Sequence, residues 1–371
     1  MFTLITNGDL YAPEPLGVQS ILLAGATIAH IGKIDRRSLE ALPLPCQIID
    51  ASGCIVAPGL VDAHEHLIGA GGEQGFSSRM PEVTAREIVC AGITTVVGCL
   101  GTDMTTRSQT ALLGKVRQLQ SEGVSAYMYT GGYSIPPQTL TRTITDDLVL
   151  VPEVIGFGEL AISDTRCSDP TINELGRMVS QAITGGMISG KAGVTHFHIG
   201  PGKKRLALLR ELLEQHEIPP QYIYPTHVTR TDELLLEAID LAQRGCFVDT
   251  DVIEDDLSRW LTIYREHGGP LSQLTISTDA QTPGGSPARL WQSLRTTICE
   301  DGFALSDVLP LATRNPATVL QLGAKGRLEP GADADVLILR RETLEIVHVW
   351  ARGRQHVADG QFVETTSGEQ A

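Results

Sequence analysis

Between residues 55 and 280, apolar runs recur at intervals of about 20 to 40 residues, and the stretches between them carry the wider spacing of amphipathic helices. The runs are GLVDAHEH (59–66), GITTVVGCL (92–100), VSAYMYT (124–130), VIGFGELAIS (154–163), GVTHFHIG (193–200), YIYPTHV (222–228), CFVDTD (246–251) and LTISTDA (274–280). Helical periodicity is clearest in KRLALLRELLEQH and in DELLLEAIDLAQRG, which Gly245 should stop. Eight βα units predict a TIM-type (β/α)8 barrel, regular or distorted, with its chemistry at the C-terminal ends of the strands. An open doubly wound sheet would want a phosphate loop after the first strand. GAGGEQG (69–75) is glycine-rich but opens no helix, so it makes a poor dinucleotide fingerprint.

The two ends read as short strands and turns, and together predict one small β-sandwich. The expected division is therefore 1–56 and 324–371 for a small β domain, with the (β/α)8 barrel over 57–323. The closing ETTSGEQA reads as disordered.

Composition narrows the function. The 371 residues are 42% apolar with a net charge of −15 and no basic run, which argues against a nucleic-acid or anionic-membrane surface. No stretch approaches a membrane span or a signal peptide, so a cytoplasmic protein is expected. Seven cysteines without CxxC spacing fit packing residues better than a disulfide framework; Cys99, on a barrel strand, is the candidate exception, though a small buried hydrophobe is the favoured reading.

Five of ten histidines fall in the strand runs, at 64, 66, 196, 198 and 227. His64 and His66, two apart, share a strand face and can hold one metal ion; alone, such a pair is weak. Barrel closure would bring it to one mouth with His198, His227 and Asp279. Glu159, ending the fourth run, can then bridge two cations about 3.5 to 4 Å apart, where it would otherwise be a buried acid paired with an arginine. Asp279 is placed to accept a proton from water shared by two metals, its bland alternative being a turn cap. His198 lies nearer the strand end than His196, which is left as a deeper structural residue. His30, His216, His267, His348 and His356 fall outside the expected site. These donors accept zinc, cobalt, manganese or iron alike.

With GLVDAHEH, His198, His227, STDA and GRLEPGADADVLIL, nearly the whole chain resembles the amidohydrolase superfamily. It is most similar to the β-aspartyl (isoaspartyl) dipeptidases, through HEHLIGAGGEQG, RMPEVTAREIVCAGITTVVGCLGTD, YTGGYSIP, AISDTR, FHIG and PTHVTR. The resemblance implies two zinc ions, a homo-oligomer, and metal-assisted hydrolysis of the amide of an aspartate side-chain carboxyl. It also implies that Glu73 binds the substrate α-ammonium, Arg166 and Arg230 its α-carboxylate, and Tyr133 the developing oxyanion. Gly71, Thr102 and Ser286 would complete the contacts.

Two stretches depart from the family. Its usual members carry a carboxylated lysine as the bridge, where this chain has the shorter Glu159. That glutamate reaches the metals only if the strand moves inward, which Gly156 and Gly158 permit through a bulge or close approach. AQTPGGSPARLW after Asp279 also differs, leaving dipeptide preference and Ser286 open. The competing readings are another amidohydrolase, acting on a cyclic amide or as a deaminase, and a non-catalytic metal-binding scaffold.

Overall fold

The chain's computed structural model describes residues 2–34, 45–254 and 256–364, so the tail after Glu364 lies outside the described residues. Five strands come first: β1 (Phe2–Tyr11), β2 (Pro15–Ala24), β3 (Thr27–Gly32), β4 (Cys46–Asp50) and β5 (Cys54–Pro58). The next eight are parallel: β6 (Leu60–Glu65), β7 (Ile93–Gly98), β8 (Ser125–Thr130), β9 (Val154–Ile162), β10 (Val194–Ile199), β11 (Ile223–Thr226), β12 (Val248–Asp251) and β13 (Leu274–Ser277). Each falls within one of the apolar runs. Strands β14 (Val336–Arg340), β15 (Ile346–Ala351), β16 (Arg354–Ala358) and β17 (Gln361–Phe362) follow.

Strands β6 to β11 form one parallel ladder in chain order, and β12 pairs with β13. Hydrogen bonds outside the regular ladders join the two sets. Val228 N donates to Asp249 O at 3.3 Å, while Asp279 N donates to His64 O and His66 N to Ala280 O, both at 3.1 Å. The second seam thus fastens the ends of β6 and β13, where His64, His66 and Asp279 lie at or just past the last strand residues. Every residue of β6, β7, β9 and β10 is buried, as expected of parallel strands covered by helices outside and closed on themselves inside.

The helices start where the sequence offers caps. Thr231 opens Asp232–Gln243 by accepting from Leu234 N at 3.2 Å, and Gly245 follows at φ 101°, a conformation that side chains disfavour. The two ends of the chain meet in a nine-stranded sheet, ordered β17-β16-β15-β14-β5-β1-β2-β3 with β4 also on β1. Its own apolar cluster includes Leu10, Ile21, Val336 and Trp350. Lys325, 3% exposed, connects this sheet region to the barrel base. Its Nζ donates to Asp333 (2.6 Å), Asp335 (2.7 Å) and Ser125 Oγ (2.6 Å), so the buried cation is fully partnered. All seven cysteines are free thiols.

Candidate active site

Strand β9 is irregular at the point where the sequence turns unusual. Thr195 of β10 pairs with Phe157 but Phe197 pairs with Leu160, so β9 carries one extra residue at Gly158–Glu159 opposite His196. Gly158 has φ 144°, and a Cβ on it would lie 2.5 Å from His196 O. One on Gly156 would lie 2.7 Å from Val194 O. No side chain fits at either place, and the approach expected of these glycines is what the strand adopts. It leaves Glu159 fully buried with its carboxylate among four imidazoles.

Glu159 Oε2 lies 3.3 Å from His64 Nε2 and 3.7 Å from His66 Nε2. The other oxygen, Oε1, lies 2.8 Å from His198 Nδ1 and 3.3 Å from His227 Nε2. One carboxylate therefore faces two pairs of histidines, one oxygen to each. Asp279 Oδ1 stands on the first pair, 3.0 Å from His66 Nε2 and 3.6 Å from His64 Nε2. Burial pushes the Glu159 carboxyl up, but His64 and His198 outweigh it and hold the group well below the usual carboxylate range. Burial pushes His64 and His66 down, yet the acids and Cys99 around them hold both well above the ordinary imidazole value. The cluster draws positive charge into a buried space.

Divalent ions would supply that charge, and the donor set fits them. His198 Nε2 lies 3.1 Å from Asp164 Oδ2, and His227 Nδ1 lies 2.7 Å from Asp251 Oδ2. Each outer nitrogen thus has a carboxylate beside it, with Arg166 Nη2 also 3.0 Å from His198 Nε2, and the inner nitrogens face Glu159, an arrangement common around metal ligands. His64 is fully buried and neither of its ring nitrogens has a hydrogen-bond partner. Ligand atoms of His64, His66, Cys99 and Glu159 all lie within 4.8 Å of one another, as do those of Glu159, His198 and His227.

Above this floor opens a cavity of about 280 Å³, lined by His66, Gly71, Glu73, Thr102, Tyr133, Arg166, His198, Arg230 and Asp279 among others. A wider groove of about 420 Å³ runs along the outside of Ile172–Ser189, but its lining, His216 included, shares no residue with the Glu159 cluster. Tyr133 Oη lies 2.7 Å from His198 Nδ1, and burial pushes its phenol well up, so it remains an O–H donor. Arg166 spends Nε and Nη2 on Asp164, at 2.9 and 2.7 Å, and keeps Nη1 near Glu73 (3.6 Å) and Thr102 Oγ1 (3.4 Å). Its bonds to Arg166 hold the Asp164 carboxyl far below the ordinary range, although burial opposes this. Ser286 does not line the cavity. Asp279 and Gln281 take positive φ, the chain doubles back, and Thr282 and Pro283 form the wall there.

His196 sits beneath the floor, stacked on Tyr129 at 5.2 Å and 4.7 Å from Tyr224, and burial pushes it well down, so it is neutral. Four further residues bear on the site without standing out in the sequence. Cys99, read as a packing residue, places Sγ 3.6 Å from His66 Nδ1 and 4.0 Å from Glu159 Oε2. Asp164 and Asp251 hold the two outer histidines. Arg107, 5% exposed, donates to the carbonyls of Ile68, Ala70, Gly71 and Met80 and so fixes the loop carrying Glu73. The DTR of AISDTR was the only local hint, since it sets Asp164 two residues from Arg166.

Comparison with known proteins agrees with this geometry. Residues 222–356 match the Amidohydrolase family. The chain superposes on the crystal structure of the β-aspartyl dipeptidase of Fervidobacterium islandicum AW-1 with a TM-score of 0.94 and 38% identity, covering 99% of this chain and 100% of that one. A second structure of that enzyme, in complex with β-Asp-Leu, matches equally well over 99% of each chain. Among curated proteins, the imidazolonepropionase of Brevibacillus brevis is 36% identical over 345 residues, covering 79% of this chain and 76% of the relative. The match to the imidazolonepropionase of Pseudomonas fluorescens, at 33% identity, spans only 31% of that protein. The chain belongs to the amidohydrolase superfamily and is a hydrolase, similar over its length to a β-aspartyl dipeptidase.

Proposed function

We propose that this hydrolase cleaves β-aspartyl (isoaspartyl) dipeptides with the help of two divalent metal ions, taken to be zinc. The observation that carries the reading is one small cavity whose rim presents the Glu73 carboxylate and two guanidinium groups, Arg166 and Arg230, above Asp279 and the Glu159 cluster. That charge pattern complements a molecule with a free ammonium group and carboxylates flanking its amide. The Fervidobacterium enzyme, crystallised with β-Asp-Leu, lends support as a similar protein.

His64, His66, Glu159, His198 and His227 would hold the ions, which when bound would activate a water molecule and polarise the amide carbonyl. The chain's own groups do the rest. Glu73 receives the α-ammonium, and the Nη1 of Arg166 together with Arg230 fixes the α-carboxylate, with Gly71 and Thr102 beside them. Tyr133 donates its O–H to the carbonyl oxygen as negative charge develops there. Asp279, at hydrogen-bond distance from His66, takes the proton of the attacking water and passes it to the leaving nitrogen as the C–N bond breaks.

The imidazolonepropionase relative favours a second reading, hydrolysis of a cyclic amide. Such a substrate has no ammonium group for Glu73. The deciding experiment compares β-Asp-Leu, α-Asp-Leu and a cyclic amide on one sample whose metal content is measured. Turnover of β-Asp-Leu alone is expected; equal rates on both dipeptides, or none with two metals bound per chain, would overturn the proposal. Arg230→Ala should raise KM for β-Asp-Leu by about 10-fold or more.

A further inference from the structure

Asp164 has no part in the scheme above, yet both of its oxygens are occupied at the cavity. Strand β9 ends at Ile162, and Ser163 takes φ 53° with its Oγ donating to Arg205 O at 2.8 Å, which turns the next side chain back over the barrel mouth. There Asp164, 9% exposed, divides its carboxylate. Oδ1 accepts from the backbone N and the Nε of Arg166, at 2.8 and 2.9 Å. Oδ2 accepts from Arg166 Nη2 at 2.7 Å and faces His198 Nε2 at 3.1 Å, and the same Nη2 lies 3.0 Å from His198 Nε2, so the three groups form one contact. The space is shaped for it from the other side as well. Gly200 follows β10, and a Cβ there would lie 2.4 Å from Asp164 Cβ and 2.6 Å from Oδ2.

We propose that Asp164 is a positioning residue that sets two functional groups with one carboxylate, the arginine facing the substrate and a histidine of the metal-holding cluster. The Arg166 half rests on the reading of that arginine as a carboxylate clamp; the His198 half does not. Without Asp164, the nearest acid left to Arg166 is Glu73, 3.6 Å away, and an arginine drawn there would occupy the group meant for the substrate's ammonium. His198 Nε2 would lose its one acceptor and keep only Arg166 Nη2, 3.0 Å away, which can donate but not accept. Its Nδ1 would then be free to carry the proton toward Glu159 and Tyr133, and a protonated nitrogen cannot ligate.

The test uses the full-length protein as purified with metal, with bound metal counted by mass spectrometry before and after a timed exposure to chelator. Asp164→Asn keeps the shape but replaces one acceptor oxygen by a donor. It should raise KM for β-Asp-Leu at least about 10-fold, and should lose metal to chelator about 10- to 100-fold more readily than wild type. Gly200→Ala, which leaves the charge but crowds the carboxylate, should shift both readings the same way by less. Arg166→Ala should raise KM at least as much but lose metal less readily than Asp164→Asn, because the acid facing His198 Nε2 remains. If Asp164→Asn moves only one of the two readings, or neither, while thermal melting shows it folded, the double role is wrong. If Arg166→Ala leaves KM unchanged, the clamp reading of Arg166 fails, and metal retention in Asp164→Asn still decides the His198 half.

Discussion

On the floor of the barrel mouth, His64, Glu159 and His198 lie inside hydrogen-bonded strands and are 0 to 2% exposed. On the rim, Glu73 and Arg166 stand on loops with side chains 36% and 34% exposed. The floor takes its geometry from backbone ladders and from a bulge that only glycine permits. The rim takes it from side chains that clamp loops: Arg107 on the carbonyls around Gly71, Asp164 on Arg166, and Asp147 on the backbone of Leu140 and Thr141 in the segment after Tyr133. On the proposed reading, a group that must meet a metal ion within tenths of an ångström is carried by the rigid part, and groups that would choose a substrate by the part able to vary.

The comparison can be tested in order of expected effect. Glu159→Gln should abolish metal retention and lower kcat by about 1000-fold or more, because an amide cannot offer an anionic oxygen to each pair of histidines. Measured metal content near wild type would mean that the floor is not organised around Glu159. Gly158→Ala touches no ligand yet adds a methyl group against His196 O at a positive φ, and should cost about 3 kcal/mol of stability in a denaturant titration. A wild-type midpoint would show that the bulge does not depend on glycine. On the rim, Arg107→Met should raise KM for β-Asp-Leu about 10-fold with kcat within about 3-fold, since the loop bearing Glu73 loosens while the floor stays. A fall in kcat with KM unchanged would erase the distinction between the two regions. Bicarbonate added to metal-loaded protein should change the rate by less than about 2-fold, because Glu159 is anionic without any carboxylation. A strong rise would exclude it as the bridge.

The same division explains what could be read beforehand. All eight parallel strands were legible because each is a bounded apolar run, and the i, i+2 histidines and strand-end acids follow from strand geometry alone. Glu159 stood out because a charge in an apolar run demands a partner. Asp164, Asp251 and Arg107 were not legible, since their roles depend on where turns send the chain. Ser163 and His227 adopt positive φ, for which their side chains give no signal. Ser286 was expected at the cavity for want of the turn that puts Thr282 and Pro283 there instead. Cys99 was read as apolar because its run is apolar; only barrel closure sets its sulfur beside His66.

The sheet joining the two ends of the chain bears on how the protein is made. Strand β5 lies between β1 and β14, with Cys54 opposite Arg340, so the strands synthesised first keep an open edge until almost the last have left the ribosome. An unpaired edge of that kind invites pairing with other nascent chains. Yield of soluble protein should therefore depend on how quickly translation reaches residue 340, and slowing it within the barrel segment would favour aggregation through β5.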